Sequence, residues 1–348
     1  MHHEDQPVPA AAIAETLARV AVRQQRLDSQ LPVPSFADDE APELVVQRDG
    51  TLHAFATTRR VSLTPDHPDA LWGACRRSEL QLRWDGDVAA VGELLDRWIA
   101  DAAGELGAEG DWESSLEIEV PSRDSELVLP LLQRGFVAVG IVGIRLGHGA
   151  GRDGAATAEQ AALARLEASG VVLRQATLSD APLLGEMDSE LLHHDALHGA
   201  VEARDGAAAV LQRGIEERLA IDPEWSWVIE QHGNAVGYLS LETRRDRHDA
   251  KCAVGPDIAY IQAMYLRPTV RGGGIGEAVV HFAHARAQLA GFGRMLLGYA
   301  ALNPRSGPFW CRMGYRPLYT SWQRRPARRC TSVRASWPPG QRSADTVE

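Results

Sequence analysis

Apolar positions along the chain recur with two periods, and the period changes at identifiable places. Near the start, "AAAIAETLARVAVRQQRL" places them at helical spacing and predicts an amphipathic helix. The Pro/Ser-containing "LPVPSFADDEAPE" then reads as a linker. From Glu43 the period shortens to two: "ELVVQRDGTLHAFATTRR" alternates about Asp49-Gly50 and predicts a hairpin. The order continues with a strand in "SELQLRW", a helix in "DVAAVGELLDRWIADAAGELG" and a strand in "SSLEIEV". A short helix in "SELVLPLLQRGF" and a last strand in "VAVGIVGIRL" complete this half. The glycine-rich "GHGAGRDGAAT", residues 147–157, predicts a linker, followed by a helix to about Ala168.

The second half repeats the order. "VVLRQAT" predicts a strand, "LSDAPLLGEMDSELLHHDA" a helix capped near Ser179, and "AAAVLQRGIEERLA" a second helix. "WSWVIEQHGNAVGYLSLETRR" predicts a hairpin about Gly233-Asn234, and "AYIQAMYL" an apolar strand. "GEAVVHFAHARAQLAGFG" predicts a helix, "RMLLGYAAL" a strand, "SGPFWCRMG" a short helix and "YRPLYTSWQ" a final strand. Gly135-Phe136 and Gly314-Tyr315 fall at equivalent places, so the chain reads as a diverged internal duplication of mixed α/β type. The expected boundaries are a helix and linker at 1–40, a first domain at 41–148, a linker and helix at 149–170, a second domain at 171–325 and a flexible tail at 326–348.

Composition narrows the function. Of 348 residues, 45% are hydrophobic and 24% charged, which excludes wholesale disorder, and no apolar run approaches the ~20 residues of a membrane span. The first thirty residues lack the basic and apolar regions of a secretory leader, so a soluble cytoplasmic protein without membrane contact is expected. A net charge of −11 argues against nucleic acid as a partner. The charge is uneven: Asp180 to Glu230 holds twelve acids against three arginines, while Arg305 to Arg334 holds eight arginines and no acid. Lys251 is the only lysine, an arginine bias that suits a GC-rich, bacterial genome. Cys75, Cys252, Cys311 and Cys330 lie far apart and form no metal-ligating pair, so free thiols and no metal are expected.

Between the strand ending at Leu266 and the next helix stands "RPTVRGGGIG". A strand that delivers its end to glycines opening a helix builds an anion site, because the first helical amides lack internal partners and glycine removes the Cβ barrier to approach. The spacing excludes a P-loop, since Glu277-Ala278 follows the last glycine, and a Rossmann fingerprint, since the residue due to be the third glycine is Glu277. A pyrophosphate is the ligand this loop suits.

Arg271-Gly272-Gly273-Gly274-Ile275-Gly276, with the strand before it and the helix after it, resembles the R/Q-x-x-G-x-G/A motif of the GNAT N-acetyltransferase superfamily. Asn303 and the Gly-aromatic pair in "FWCRMGYRP" resemble that family's second landmark, and the likeness covers about residues 171–325. It implies two tandem GNAT-like domains, each a mixed, largely antiparallel sheet flanked by helices, with the fourth and fifth strands of the second domain splayed around acetyl-CoA. The implied cofactor contacts are Met264, Tyr265, Leu266, the loop Arg271 to Gly276, Asn303 and Phe309. The implied reaction is direct acetyl transfer to an amine, with a backbone amide at Met264 or Tyr265 stabilising the oxyanion by ~3–4 kcal/mol. The sequence departs from the pattern at two points. The position of the family's tyrosine acid is Trp310, whose indole donates a hydrogen bond but no proton, and Gln262 stands near the place of the fourth-strand carboxylate. Tyr265 and Tyr299 offer phenols and Glu242 a carboxylate in their stead.

Glu190, His194 and His198 share one helical face in "DSELLHHDALH". A metal site, a capped helix end and a place in the acceptor cleft, with His194 as base, all suit that pattern. The acidic balance of the region favours a small cationic amine as acceptor. Arg305 and Arg312 suit either cofactor phosphates or a solvated surface. In the first half Trp84-Asp85-Gly86-Asp87-Val88 is too short for a cradle and carries two carboxylates, so this half resembles the degenerate member of tandem GNAT proteins and is expected to bind no CoA. Such a chain has less need of a partner copy, which leaves monomer and homodimer open. Two other readings stand: a non-catalytic acyl-CoA-binding module and an acyltransferase for a protein amine.

Overall fold

The structure is a computed structural model, described at residues 8–36, 41–147, 151–199, 201–243 and 253–329. The expected tail beyond 329, Lys251, Cys252 and Cys330 lie outside the described residues. The elements of the first half are α1 (Ala10–Leu27), β1 (Leu44–Arg48), β2 (Thr51–Ser62), β3 (Arg76–Trp84), α2 (Val88–Leu106), β4 (Ser114–Pro121), α3 (Val128–Gln133) and β5 (Val137–Leu146). Those of the second are α4 (Gly151–Ala168), β6 (Val171–Gln175), α5 (Ala181–Ala196), α6 (Ala207–Ile221), β7 (Ser226–Gln231), β8 (Asn234–Glu242), β9 (Ile258–Leu266), α7 (Ile275–Leu289), β10 (Arg294–Ala300), α8 (Ser306–Arg312) and β11 (Arg316–Arg324).

Local signals set most boundaries. Asp49 and Gly50 both take positive φ, 51° and 76°, as a two-residue hairpin turn requires. In the other hairpin it is His232 and Gly233 that do so, one residue earlier than the Gly-Asn pair predicts. The glycine-rich stretch after 150 is no linker, for α4 already begins at Gly151. The cap before α5 is Thr177 rather than Ser179: its side chain and that of Asp180 exchange hydrogen bonds with backbone amides across a 3-10 turn, Leu178–Asp180.

The sheet is mixed and mainly antiparallel with helices on its faces, as expected, but the two halves share it. The eleven strands among the described residues form one sheet in the order β1-β2-β3-β4-β11-β5-β10-β9-β8-β7-β6. Each half gives its last strand to the other. β5 pairs antiparallel with β10, Arg294↔Leu146 to Ala300↔Gly140, and β11 with β4, Tyr319↔Pro121 to Arg324↔Leu116. β5 and β11 then pair with each other at the centre. The apolar side chains explain the exchange. Trp322 of β11 belongs to the core of the first half, under α2, while Ile144 of β5 packs with Ile258 and Leu296 of the second.

Two strand pairs are parallel, and both part before their ends. β3 pairs with β4 from Arg76↔Ser114 to Leu80↔Ile118, and β9 with β10 only from Ile258↔Arg294 to Ile261↔Leu297. In β9 a bulge coincides with the parting: Ser240 of β8 pairs with Ala263 and Leu241 with Ile261, so Gln262 is the extra residue. A bulge bends the strand that carries it, which carries β9 away from β10.

Where β3 and β4 part, the protein supplies its own filling. The Arg23 guanidinium of α1 lies 3.9 Å from the centre of the Trp84 ring and binds both oxygens of Asp124, at 2.6 and 2.7 Å. Arg19 binds Asp85 at 3.0 Å, and the Asp87 carboxylate caps α2 through the Ala90 amide at 2.9 Å. The carboxylates flagged by the sequence thus stand at the start of α2.

Exchanged strands make each half incomplete alone, since β10 and β4 would become exposed edges. Residues 1–147 and 151–348, produced as separate chains, are expected to be insoluble singly and to form a stable complex on co-expression. A soluble monomeric 151–348 fragment with the native near-UV spectrum would contradict the exchange.

Candidate functional site

The glycine loop follows β9 through a 3-10 turn, Pro268–Val270, and ends where α7 starts. Gly272 and Gly274 have φ of 89° and 82°, which disfavours any residue with a side chain. Gly273 has no such need, and a Cβ there would meet nothing within 4 Å. Its bareness serves no packing inside the protein and leaves the loop amides open to an approaching group. Gly276 differs: a Cβ there would come within 3.4 Å of Met264, 3.5 Å of Leu266 and 3.7 Å of Phe309. So Met264, Leu266, Gly276 and Phe309, four of the sequence-predicted contacts, meet at one point beside the parted end of β9.

Along that end, Gln262 is the bulged residue and its buried side-chain oxygen has no hydrogen-bond partner. Tyr299 stands on β10, with its phenol raised above the usual value chiefly by burial. The Trp310 ring packs against Phe309, 4.9 Å between centroids, and against Tyr315, 5.5 Å. Asn303 works within the protein: its oxygen accepts from the amides of Arg305 and Ser306 at 3.0 and 3.2 Å, and its amide donates to Asp195 at 3.3 Å. It ties the start of α8 to the end of α5. Glu242 is buried opposite Tyr260, on the side of the bulge where β9 and β10 still pair.

A cavity of about 640 Å³ lies between α5, α6 and the end of β9, lined among others by Glu190, His193, His194, Gln212, Tyr265 and Arg271. The helical face predicted for Glu190 and His194 therefore turns inward; α5 ends at Ala196, and His198 lies beyond it with its Nε2 buried and unpartnered. The Tyr265 phenol donates to Glu190, and burial followed by that carboxylate pushes its pKa up to about 12. Arg271 turns back to give its Nε hydrogen to the Leu266 carbonyl at 2.7 Å. Burial lowers the His194 pKa, with Asp195 acting against it and Arg271 and Arg305 adding to it. Among the described residues no group of three or more His, Cys, Asp or Glu side chains is placed to hold a metal ion.

The acidic balance read from residues 180–230 is compensated in part by arginines from elsewhere in the chain. Arg174 holds Asp180 and Glu230, each at 2.9 Å, and keeps the Asp180 pKa down to about 2. Arg267 holds Glu186 at 2.8 Å and Glu190 at 3.2 Å, and Arg325 holds Glu202. All three arginines lie outside that stretch, so only their position in the fold shows them as partners. Arg316, from the basic end of the chain, likewise binds Asp28, at 2.9 Å for one of its two bonds.

Residues 197–315 match the sequence model of the acetyltransferase (GNAT) family. No significant match is found among curated proteins. Among solved structures, the fold is similar to the crystal structure of a GCN5-related N-acetyltransferase from Sphaerobacter thermophilus, at TM-score 0.52 and 14% identity over 92% of this chain and 95% of that one. Weaker likenesses include a GNAT-family acetyltransferase from Colwellia psychrerythraea, at TM-score 0.45 and 12% identity over 91% of this chain and 97% of that one. A tandem GNAT protein from the clavulanic acid biosynthesis pathway gives TM-score 0.43 and 12% identity over 92% and 97%.

An unpartnered buried carbonyl oxygen, such as that of the Gln262 side chain, costs stability rather than adding it. Gln262→Met, of similar shape, is expected to leave the melting temperature unchanged or raise it, by up to about 1 kcal/mol of stability. A marked drop in a thermal melt would show that the amide serves the fold instead of a ligand.

Proposed function

Residues 197–315 being a domain of the acetyltransferase (GNAT) family, we propose that the chain transfers acetyl from acetyl-CoA directly to the primary amine of a small, cationic metabolite. The observation that carries this reading is the parting of β9 from β10 at Gln262, beside a glycine loop in which the bareness of Gly273 is required by no contact inside the protein. Backbone groups from Gln262 to Leu266 face the gap, and they are the natural partners for the pantetheine amides. The amides of Arg271 to Gly276 and the first turn of α7 take the pyrophosphate. The thioester then lies at the bulge, where the Met264 or Tyr265 amide donates to the developing oxyanion.

The amine enters through the cavity of Tyr265, Glu190 and His194. A histidine whose pKa is lowered by burial is neutral at pH 7 and free to take the proton that the attacking nitrogen sheds. Tyr265 keeps its proton to about pH 12, so its oxygen orients the amine by accepting a hydrogen bond and takes no part as an acid or base. Arg267 neutralises part of the charge on Glu186 and Glu190. A monocation therefore suits the cavity better than a polycation. Trp310 can steady the departing thiolate through its indole, and the proton reaches sulfur from water. The first half binds no CoA in this reading, because Trp84 and the arginines of α1 fill its gap.

One observation favours a second reading, a non-catalytic acyl-CoA-binding module: at the bulge an amide, Gln262, stands in place of a carboxylate. Calorimetric titration with acetyl-CoA is expected to give one site per chain, and Gly273→Glu, at a loop position with neither a positive φ nor a neighbour within 4 Å, to abolish binding with the melting curve retained. Two sites would overturn the reading of the first half, and none that of the loop. Thiol release from acetyl-CoA should depend on an added amine from a panel of diamines and aminosugars. Binding without release would favour the module. Where release occurs, its rate should fall as pH drops below 6.5, the ordinary histidine value, because protonation removes the base. His194→Asn should abolish that limb.

A further inference from the structure

We propose that Glu113 of the first half is a positioning residue for the amine cavity, acting through Arg204. This rests on the transferase reading above and assigns the first half a part in acceptor binding. The cavity is walled by α5 and α6, and residues 201–206 of the segment joining them do not pack on their own sheet alone. They reach over the first half at a 3-10 turn, Pro68–Trp72. There the Glu202 amide donates to the Leu71 carbonyl at 2.8 Å. Arg204 donates to the carbonyls of Ala70 at 2.8 Å and Gly73 at 3.1 Å, and to both oxygens of Glu113 at 2.9 and 2.8 Å.

Glu113 is fixed in turn by the Cys75 amide, which donates to it at 3.1 Å. Beneath the polar contacts Leu71 packs with Leu192 of α5 and with Ala207 and Leu211 of α6. Ala207 and Leu211 each precede a residue that lines the cavity, Ala208 and Gln212. The carboxylate is ionised at any pH near neutrality, since the Arg204 hydrogen bonds draw its pKa down to about 2. A planar guanidinium held by a two-point carboxylate and two carbonyls has one orientation, unlike a lysine in the same place. The clamp therefore sets where α6 stands relative to Tyr265, and hence the width of the cavity, without touching a reacting atom.

The test uses the full chain with Glu113→Gln, Glu113→Ala and Arg204→Lys, each first checked by circular dichroism and melting. Hydrogen exchange of residues 201–212 is expected to quicken in the two Glu113 variants while residues 258–300 keep their protection. With glucosamine as the amine probe, or whichever aminosugar of the panel the native protein acetylates best, KM for the amine should rise about tenfold and KM for acetyl-CoA should stay within about twofold, as a displaced but intact site predicts. Arg204→Lys should recover part of the loss relative to Glu113→Ala, because an ammonium can still reach the carboxylate. Unchanged exchange at 201–212 overturns the proposal, and so does a parallel rise in both KM values, which would mark a general loss of structure. If the native protein releases no thiol from acetyl-CoA with any amine of the panel, the transferase reading fails on that result, and the exchange arm alone decides whether Glu113 holds the cavity wall.

Discussion

Past Ile261 the backbone of β9 has a sheet neighbour on one side only, and everything of interest in the second half follows from that constraint. Peptide groups withdrawn from water need partners, and a strand that leaves its neighbour gives up one row of them. The bulge at Gln262 makes the separation local: pairing with β8 resumes at Ala263, so β9 stays anchored while its other edge opens. The loop, the cavity under α5 and α6, and the aromatic wall of Phe309 and Trp310 are arranged around that opened edge. The first half contains the same separation between β3 and β4, and there Trp84, Asp124 and Arg23 close it with side chains.

Several polar contacts of the second half are long-range and arginine-based. Arg174, Arg267 and Arg325 each hold acids of the stretch that reads as strongly negative, and each comes from a strand or a strand end. Two carboxylates of α5 are engaged with phenols of the sheet beneath: Asp188 with Tyr238 and Glu190 with Tyr265, the two tyrosines directly opposite each other on β8 and β9. The helix is therefore keyed to the sheet by side-chain chemistry as well as by burial of Leu184 and Met187. A cavity with one wall so fixed and the other, α6, docked on the first half has little freedom to change shape.

What the sequence discloses depends on range. The glycine loop was legible because its requirements are contained in six neighbouring residues, and so was the Asp49-Gly50 hairpin. The Gly-aromatic pairs were legible for the same reason, and both aromatic residues, Phe136 and Tyr315, are buried where each final strand begins. At Gly151 composition misled: glycine and alanine read as a linker, yet packing of α4 against α7 and β6 makes a helix of them. Strand exchange left no local trace, since "VAVGIVGIRL" is apolar enough to lie at the centre of either half, and only its neighbours decide which. Charge was legible only in part for a related reason. A net count over a window treats its acids as free, whereas Arg267 reaches Glu190 across 77 positions. Asn303 was singled out as a cofactor contact, whereas its visible work is to hold the turn before α8 and the end of α5.

The exchange of last strands also fixes an order in time. A ribosome delivers the first half complete in sequence but not in structure, because the strand that belongs beside β4 is β11, the last element among the described residues. Until then β4 presents an open edge, and β5, already made, has neither of its two neighbours. The second half can settle first, taking β5 as its own as soon as β10 appears. The half that is made earlier is thus the half that closes later, and the contact that closes it spans about two hundred residues of chain, from Glu119 to Ser321.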